Sequence, residues 1–340
     1  MPLYGCWLSV RLASIRVMED LMKAILAILI AAAAGMPVAA TAQYPAKAIK
    51  LVVPFSAGSP PDIIGRHVAQ KISEAAGQPV VVENRTGAAG RIGAEAVAKS
   101  APDGYTLLLG TTGSIASAPN LFPDVGYDAI KSFAPISRLT NSVFLVFVHA
   151  SVPATSLHEL IELAKAKPGE MAFGSGGSGS PLHIAGEMFK TAAGVDLLHI
   201  SYGSGGVFGD FAAGRTQVMF EQLPGLHGYL RDGKIRALAV AGQARLPQLP
   251  EVPTAAEAGL PGYEVSVWTG LLAPAGTSVE VISRLNAEAR KALDSEQIRE
   301  AFGKLGFQAA ATTPEEFQAV IRNDSAKWSQ AIRAAGIKRD

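Results

Sequence analysis

The sequence predicts an α/β protein with two lobes, each formed by a mostly parallel sheet flanked by helices, and with a ligand cleft between the lobes. Three observations lead to this prediction. Short apolar runs alternate with longer amphipathic runs, a pattern typical of parallel sheets whose faces are covered by helices. The alternation occurs twice, around residues 48–141 and again around residues 142–242. A last strand-like run near residue 265 indicates that the chain returns to the first lobe.

The first lobe is predicted to begin with five elements, in the order strand, helix, strand, helix, strand. They are Ala48–Phe55, residues 61–77, Pro79–Asn84, residues 91–101 and Tyr105–Gly110. The first helix is amphipathic and is expected to end at Gly77, because glycine readily adopts the left-handed conformation that closes a helix.

The second lobe is predicted to continue the same alternation. Its strands are expected at Ser142–Ala150, residues 170–175, 196–202 and 216–222, and Lys234–Gly242, with helices at Pro181–Ala193 and Gly205–Ala213. A further helix is expected to begin with a capping box formed by Ser156 and Glu159. The last helix of the chain is expected to be capped by Thr313, with Glu316 at its third position.

The return of the chain defines the predicted domains. The strand Glu264–Pro274 is expected to rejoin the first lobe, which then comprises residues 43–141 and 265–340. The second lobe comprises residues 142–264.

Residues 1–42 have the order of a secretory signal peptide. Lys23 precedes the apolar run "AILAILIAAAAG", and small residues at the cleavage-site spacing end at Ala42. The apolar run is roughly half of the ~20 residues that a membrane-spanning helix needs, which disfavours an anchor. We therefore expect cleavage near Ala42 and a periplasmic mature protein, with translation starting at Met1, Met18 or Met22.

Composition and motifs exclude several classes of function. The 30 Lys and Arg residues balance the 29 Asp and Glu residues, so no nucleic-acid partner is expected. The only cysteine, Cys6, lies in the leader, and the six histidines stand singly without metal-site spacing. Neither a P-loop nor G-x-S-x-G is present. We expect no catalytic residue, no metal and no cofactor.

A glycine-rich loop matches the dinucleotide fingerprint G-x-G-x-x-G at Gly174, Gly176 and Gly179. That site also needs an acidic residue at the end of the next strand, to hold a ribose. Asp196 instead lies at the start of the next predicted strand, and Tyr202 lies at its end. An NAD-binding oxidoreductase therefore remains only a weak alternative.

The same loop favours an anion site made of neutral donors. Ser178 or Ser180 can cap the helix that begins at Pro181, which leaves backbone N–H groups at the positive end of the helix. In the first lobe, Pro54–Asp62 has the same strand–loop–helix order, and Gly110–Ser114 adds hydroxyl groups. Together these segments suit an anion of about −1 to −3. His183 and Trp268 are assigned to structural packing, with a ligand contact for His183 and a place in the cleft wall for Trp268 as the alternatives.

Several stretches together resemble a known family. They are "YPAKAIKLVVPFSAG", "GQPVVVENRTGAAGRIGAEAVAKSAPDGYTLLLGTTGS", "FGSGGSGSPLHIAGEMF" and "WTGLLAPAGT". The chain from about Tyr44 to Gly336 resembles the substrate-binding proteins of tripartite tricarboxylate transporters, the Bug receptors. The resemblance implies a periplasmic-binding-protein-like fold that closes on a small carboxylate and delivers it to a membrane permease.

A monomer is expected, because the receptor must hinge freely. A receptor that reports to a membrane sensor kinase is the alternative.

The resemblance also implies which residues bind the ligand. The two family loops that pinch a carboxylate correspond to Phe55–Ser59 and Ser175–Ser180 here. The expected ligand-binding residues are Phe55, Ser56, Ala57, Gly58, Ser59, Thr111, Thr112, Ser175, Gly176, Gly177, Ser178, Gly179, Ser180, Tyr202 and Glu221.

Three positions depart from the family pattern. Gly58-Ser59 followed by Pro60-Pro61 replaces the usual Gly-Gly pair, and prolines supply no N–H donor. Tyr202-Gly203-Ser204 replaces a Tyr-Lys-Gly stretch, so a cation is missing. Glu221 stands where an aspartate is usual, and it can accept from a ligand hydroxyl or ammonium group. Four ligand classes therefore remain open: dicarboxylates, tricarboxylates, hydroxy-acids and amino acids.

Overall fold

The protein was analysed as a computed structural model that describes Met18, Met22 and residues 44–122, 124–202, 206–304 and 307–337. The predicted leader lies outside the described residues apart from Met18 and Met22, and so do Gly203 and Ser204. Residues from Tyr44 onward form one compact unit. No helix in the described part of the chain is long and apolar enough to span a bilayer.

Strands and helices alternate along the described chain. The strands are β1 Ile49–Val53, β2 Val80–Asn84, β3 Thr106–Thr111, β4 Phe133–Val143, β5 Leu145–His149, β6 Ala172–Ser175, β7 Leu198–Ser201, β8 Val218–Glu221, β9 Ile235–Val240, β10 Ser266–Pro274 and β11 Gln308–Ala309. The helices are α1 Pro60–Ala76, α2 Arg91–Ala98, α3 Ala118–Leu121, α4 Leu157–Ala166, α5 Pro181–Ala193, α6 Val207–Ala212, α7 Leu223–Arg231, α8 Val279–Asp294, α9 Glu296–Lys304 and α10 Pro314–Ala334. The described chain also contains a 3₁₀ turn at Ala88–Gly90 and a π-helical turn at Thr112–Ser117.

The strands form two sheets, and together with the flanking helices they give the two-lobed α/β fold. The first sheet has the order β11-β4-β10-β3-β1-β2, and the second has the order β7-β6-β8-β5-β9. In each sheet most of the described strands run in one direction, as predicted. One inserted strand, β10 in the first sheet and β5 in the second, runs antiparallel to both of its neighbours.

The long strand β4 is a feature that the sequence prediction missed. The prediction placed one strand at Ser142–Ala150, but the chain forms β4 up to Val143 in the first sheet and β5 from Leu145 in the second. Only Phe144 separates the two strands. The local pattern could not reveal this division, because both halves of the apolar run are buried strand.

The two connections between the sheets lie side by side. The Phe144 N–H donates to the Val265 carbonyl at 2.9 Å, and the Ala241 N–H donates to the Phe144 carbonyl at 2.8 Å. The Val265 N–H in turn donates to the Ala241 carbonyl at 2.9 Å. Because backbone segments of both connections meet at these residues, we expect this region to be the hinge for any movement of one sheet against the other.

Helix boundaries follow the predicted signals, with one exception. Helix α1 ends at Gly77, which has φ of 66°, and α10 begins with a capping box of Thr313 and Glu316, as predicted. At α4 the Ser156 hydroxyl accepts the Glu159 N–H, but the Glu159 carboxylate accepts from Thr155 and not from Ser156. The predicted capping box there is therefore only half formed.

Candidate functional site

A pocket of about 420 Å³ takes its walls from both sheets. The first sheet contributes the loops after β1 and β3 and part of β10. The second sheet contributes the loop after β6 and the end of β8. Most strands of each sheet point their carboxyl ends toward this loop set, which is where ligands of open α/β sheets bind.

The predicted ligand-binding residues divide between the pocket wall and its support. Those that line the pocket are Phe55, Ser59, Thr111, Thr112, Gly176, Ser178, Gly179, Ser180 and Glu221. Those outside the lining are Ser56, Ala57, Gly58, Ser175, Gly177 and Tyr202.

The loop after β1 is held by the buried carboxylate of Asp62, which is 1% exposed. Asp62 accepts the Gly58 N–H at 2.8 Å, Asn84 Nδ2 at 2.7 Å and Arg66 Nε at 2.9 Å. Burial by itself raises the pKa of Asp62, but these hydrogen bonds outweigh it and hold the pKa below its ordinary value. Asp62 therefore positions this loop as a permanent anion. The Gly58 N–H is used in this contact and is therefore not free to donate to a ligand.

Ser59 is the pocket residue whose hydroxyl group lacks a partner. Its Oγ is buried and makes no hydrogen bond within the described chain. Ser59 is also the N-cap residue of α1, yet its side chain does not cap the helix, which starts with Pro60 and Pro61. A buried hydroxyl without a partner costs about 1–3 kcal/mol. Such a group in a pocket wall indicates a place where a ligand supplies the missing hydrogen bond.

The loop after β6 is supported from behind by serine and histidine side chains. Ser175 Oγ accepts the Gly177 N–H at 3.1 Å and lies 2.7 Å from His199 Nε2. The Gly179 N–H donates to His183 Nδ1 at 3.1 Å. The N–H groups of Gly177 and Gly179 are therefore bonded within the protein and are not open to an anion. Ser180, rather than Ser178, caps α5 through the His183 N–H at 3.4 Å.

His183 and His199 stack beneath this loop. Their ring centroids are 3.7 Å apart, and the two ring planes are nearly parallel, with an angle of 4° between them. Neither histidine lines the pocket. The assignment of His183 to packing therefore agrees with its 7% exposure. Among the described residues, no group of three or more histidines, cysteines or carboxylates is placed to hold a metal.

Thr112 and Trp268 join the loop after β3 to strand β10. The Trp268 backbone N–H donates to Thr112 Oγ1 at 2.8 Å, so the Thr112 hydroxyl still has its own proton to donate. The Trp268 ring packs edge-on against Phe317, and its Nε1 donates to Asp324 at 2.7 Å. Trp268 also lines the pocket. The sequence prediction favoured packing for Trp268 and kept the cleft wall as the alternative, and the residue occupies both environments.

Glu221 is the charged side chain in the described pocket wall, and it is 7% exposed. Burial raises the pKa of Glu221 to about 7, against the opposing effect of hydrogen bonds from Gln222. The Gln222 N–H donates to Glu221 Oε1 at 2.6 Å. The carboxyl therefore lies close to its titration midpoint at neutral pH and can either accept or donate a hydrogen bond.

Phenylalanine side chains in the wall are the feature that sequence reasoning missed. Phe122, Phe144, Phe208 and Phe307 all line the pocket, together with Trp268. The four phenylalanines come from distant parts of the sequence, and a single phenylalanine in an apolar run is ordinarily read as core. No local signal distinguishes them.

The dinucleotide fingerprint has a packing explanation. A Cβ atom on Gly174 would lie 2.7 Å from Val207 and 3.1 Å from the Tyr202 ring. The first glycine of the motif is therefore needed for close approach of α6 and the end of β7. Strand β7 ends at Ser201, so no acidic residue stands where a ribose would need one.

Comparisons with known proteins agree on one family. The family model of the tripartite tricarboxylate transporter family receptor matches residues 64–337. Protein BugT of Bordetella pertussis is 36% identical over 318 residues, covering 93% of this chain and 97% of that protein. An R. palustris protein solved with adipate is 35% identical with a TM-score of 0.80, covering 87% of this chain and 99% of that chain. The MatC protein of Rhodopseudomonas palustris, with bound malate, is 31% identical with a TM-score of 0.76 over 85% of this chain and 100% of that chain.

The family model spans residues from α1 to the end of α10, and the three relatives each cover 85% or more of the chain. The resemblance seen in the sequence motifs is thereby confirmed. The chain belongs to the tripartite tricarboxylate transporter receptor family, whose members are periplasmic solute-binding proteins.

Proposed function

We propose that the protein is exported, captures a small carboxylate in the pocket between its two sheets, and delivers it to the permease of a tripartite tricarboxylate-type transporter. The unpartnered hydroxyl of Ser59 in the pocket wall is the observation that carries this proposal. The hydroxyl of Thr112 and the start of α5 lie in the same wall. These are neutral donors of the kind that hold a carboxylate. Structural relatives with bound adipate and malate support the ligand class.

The remaining parts of the proposal rest on the sequence. The leader at residues 1–42 is removed near Ala42. The lobes comprise residues 43–141 with 265–340, and residues 142–264. The receptor acts as a monomer and performs no chemistry on its ligand. Reporting to a membrane sensor kinase is the second candidate, and co-purification with membrane proteins distinguishes the two partners.

Ser59→Ala tests the binding site, and Ser142→Ala is its matched control. Both hydroxyls are buried without a partner, but Ser142 does not line the pocket. Either substitution removes an unsatisfied group, so we expect both variants to be unchanged or up to about 1 kcal/mol more stable without ligand.

The two variants should differ only in affinity. A lost hydrogen bond to a charged ligand corresponds to about 1.5–3 kcal/mol, or roughly 10- to 100-fold in Kd. Calorimetry with a panel of mono-, di- and tricarboxylates should show this loss for Ser59→Ala alone. Equal affinities for the two variants would remove Ser59 from the site, and failure of every carboxylate to bind would overturn the proposed function.

A further inference from the structure

The pocket walls are rich in aromatic carbon. Six aromatic side chains line the described pocket, namely Phe55, Phe122, Phe144, Phe208, Trp268 and Phe307. The one polar group of the Trp268 ring is already committed to Asp324. A flexible chain of carbon and oxygen atoms would leave much of this surface without a partner, whereas a flat apolar ring would cover it. Aromatic pairs contribute about 0.5–1.5 kcal/mol beyond the area that they bury.

Positive charge is absent from the same described wall. No lysine or arginine lines the pocket. Arg91 stacks on the Phe122 ring at 3.7 Å, but it is not among the lining residues, and its Nε donates to the Ala88 carbonyl. One carboxylate can be held by the hydroxyl groups and the start of α5. A second one would be buried without a counter-charge, which is strongly unfavourable.

The Glu221 carboxyl makes the binding of a second ligand carboxylate still less favourable. It also indicates which ligand group would lie there instead. The hydrogen bonds that Gln222 makes to Glu221 both go to Oε1, so Oε2 is left for a ligand. The Cβ position of Gly225 lies 3.3 Å from Glu221 Cγ and 3.4 Å from the Phe208 ring, so the Glu221 side chain and the ring both lie beside Gly225. Because all three residues line the pocket, a ligand ring held beside Phe208 would lie next to the Glu221 side chain.

We propose, on the basis of the carboxylate-binding function above, that the preferred ligand is an aromatic monocarboxylate whose ring carries a hydrogen-bond donor, either a hydroxyl or an amino group. The carboxylate binds at Ser59, Thr112 and the start of α5. The ring lies among the aromatic side chains, and the donor binds the Glu221 carboxyl.

Calorimetry at pH 8 tests the ligand class with probes of matched size. They are 4-hydroxybenzoate, 3-hydroxybenzoate, 4-aminobenzoate, benzoate, benzene-1,4-dicarboxylate, 4-hydroxycyclohexanecarboxylate, adipate and phenol. We expect the best of the donor-bearing aromatic acids to bind at least tenfold more tightly than benzoate, the cyclohexane analogue and both dicarboxylates.

Glu221→Gln tests the role of the carboxyl, with Glu170→Gln as a control because Glu170 is exposed and outside the pocket. Removing the negative charge should raise the affinity for benzene-1,4-dicarboxylate at least tenfold and reduce the preference for the hydroxyl-bearing acid. The control should bind every probe as the unmodified protein does.

The outcomes separate this inference from the proposed function. Tighter binding of adipate than of every aromatic acid would overturn the inference and leave the carboxylate receptor intact. The cyclohexane analogue binding as well as the aromatic acids, or an unchanged probe ranking in Glu221→Gln, would also overturn it. Phenol binding as tightly as 4-hydroxybenzoate, or no acid binding at all, would overturn the proposed function as well.

Discussion

Individual residues in the pocket divide into groups that face a ligand and groups that hold the loops. Asp62, Ser175 and His183 accept the N–H groups of the two predicted binding loops, and none of the three lines the pocket. They fix the loop geometry through contacts within the protein, which lowers the entropy lost on binding. Ser59 and Glu221 instead carry unused hydrogen-bonding capacity in the wall. Binding specificity is therefore expected to depend on these two residues and on the rings between them.

The buried carboxyl of Glu221 predicts a pH-dependent stability. Its pKa of about 7 in the folded protein compares with an ordinary value of 4.5. Between these two pH values the folded protein retains a proton that the unfolded chain has released. The free energy of unfolding should therefore fall as the pH rises from 4.5 to 7 and be independent of this group above that range. The full effect corresponds to about 3 kcal/mol.

Urea unfolding at pH 5 and pH 8 checks this expectation. The difference between the two pH values should be smaller by about 2–3 kcal/mol in Glu221→Gln than in the unmodified protein. No other charged side chain of the described chain lines the pocket beside Glu221, so the substitution isolates this group. The same pH dependence in both proteins would show that Glu221 titrates normally.

Among the secondary-structure elements, the loop before α5 and the short helix α3 bring the two sides of the pocket into contact. Ser117 Oγ donates to the Gly179 carbonyl at 3.1 Å, just before α5. Gly179 has φ of 73°, and a Cβ there would lie 1.8 Å from Leu121 Cδ2. Leu121 is itself buried and cannot easily move aside. A glycine at position 179 is therefore required by both conformation and contact.

Gly179→Ala and Gly194→Ala separate those two requirements. Gly194 also has a positive φ, of 64°, but a Cβ there would meet nothing within 4 Å. We expect Gly194→Ala to cost only the conformational strain, about 1–2 kcal/mol, without changing ligand affinity. Gly179→Ala should lose more stability than the control and weaken binding.

Thermal unfolding and calorimetry measure both effects. The double variant with Leu121→Ala should recover part of the affinity lost in Gly179→Ala, because the smaller side chain makes room for the added methyl group. Equal effects of the two glycine substitutions would show that the contact between α3 and the loop before α5 contributes nothing.

For the molecule as a whole, the side-by-side connections at Phe144, Ala241 and Val265 determine how the two sheets can move. Helix α10 braces this region, since Lys327 Nζ donates to the Glu264 carbonyl at 2.9 Å and Asp324 holds Trp268. Phe144 lies in the hinge and also lines the pocket. We therefore expect a ligand that contacts both sides to stabilise a closed arrangement through its differential contacts.

Small-angle scattering tests ligand-induced closure. A saturating carboxylate identified by calorimetry should reduce the radius of gyration of the protein, because the two sheets approach each other across the pocket. Trp268 in the pocket wall should report the same event by a change in fluorescence. An unchanged radius of gyration with saturating ligand would exclude hinge closure.

The sequence by itself determined the alternation of strands and helices, the closing glycine of α1, the cap of α10 and the two loops that approach the pocket. These features depend on neighbouring residues, whose periodicity and capping preferences are local properties. Tertiary structure alone decided that the strand predicted at Ser142–Ala150 is divided between two sheets. It also decided that the N–H groups of Gly58, Gly177 and Gly179 are bonded internally, and that aromatic side chains far apart in sequence form one wall. Hydrogen-bond partners and pocket walls are set by packing between distant segments, and a residue's type and neighbours in the chain do not specify which distant group it meets.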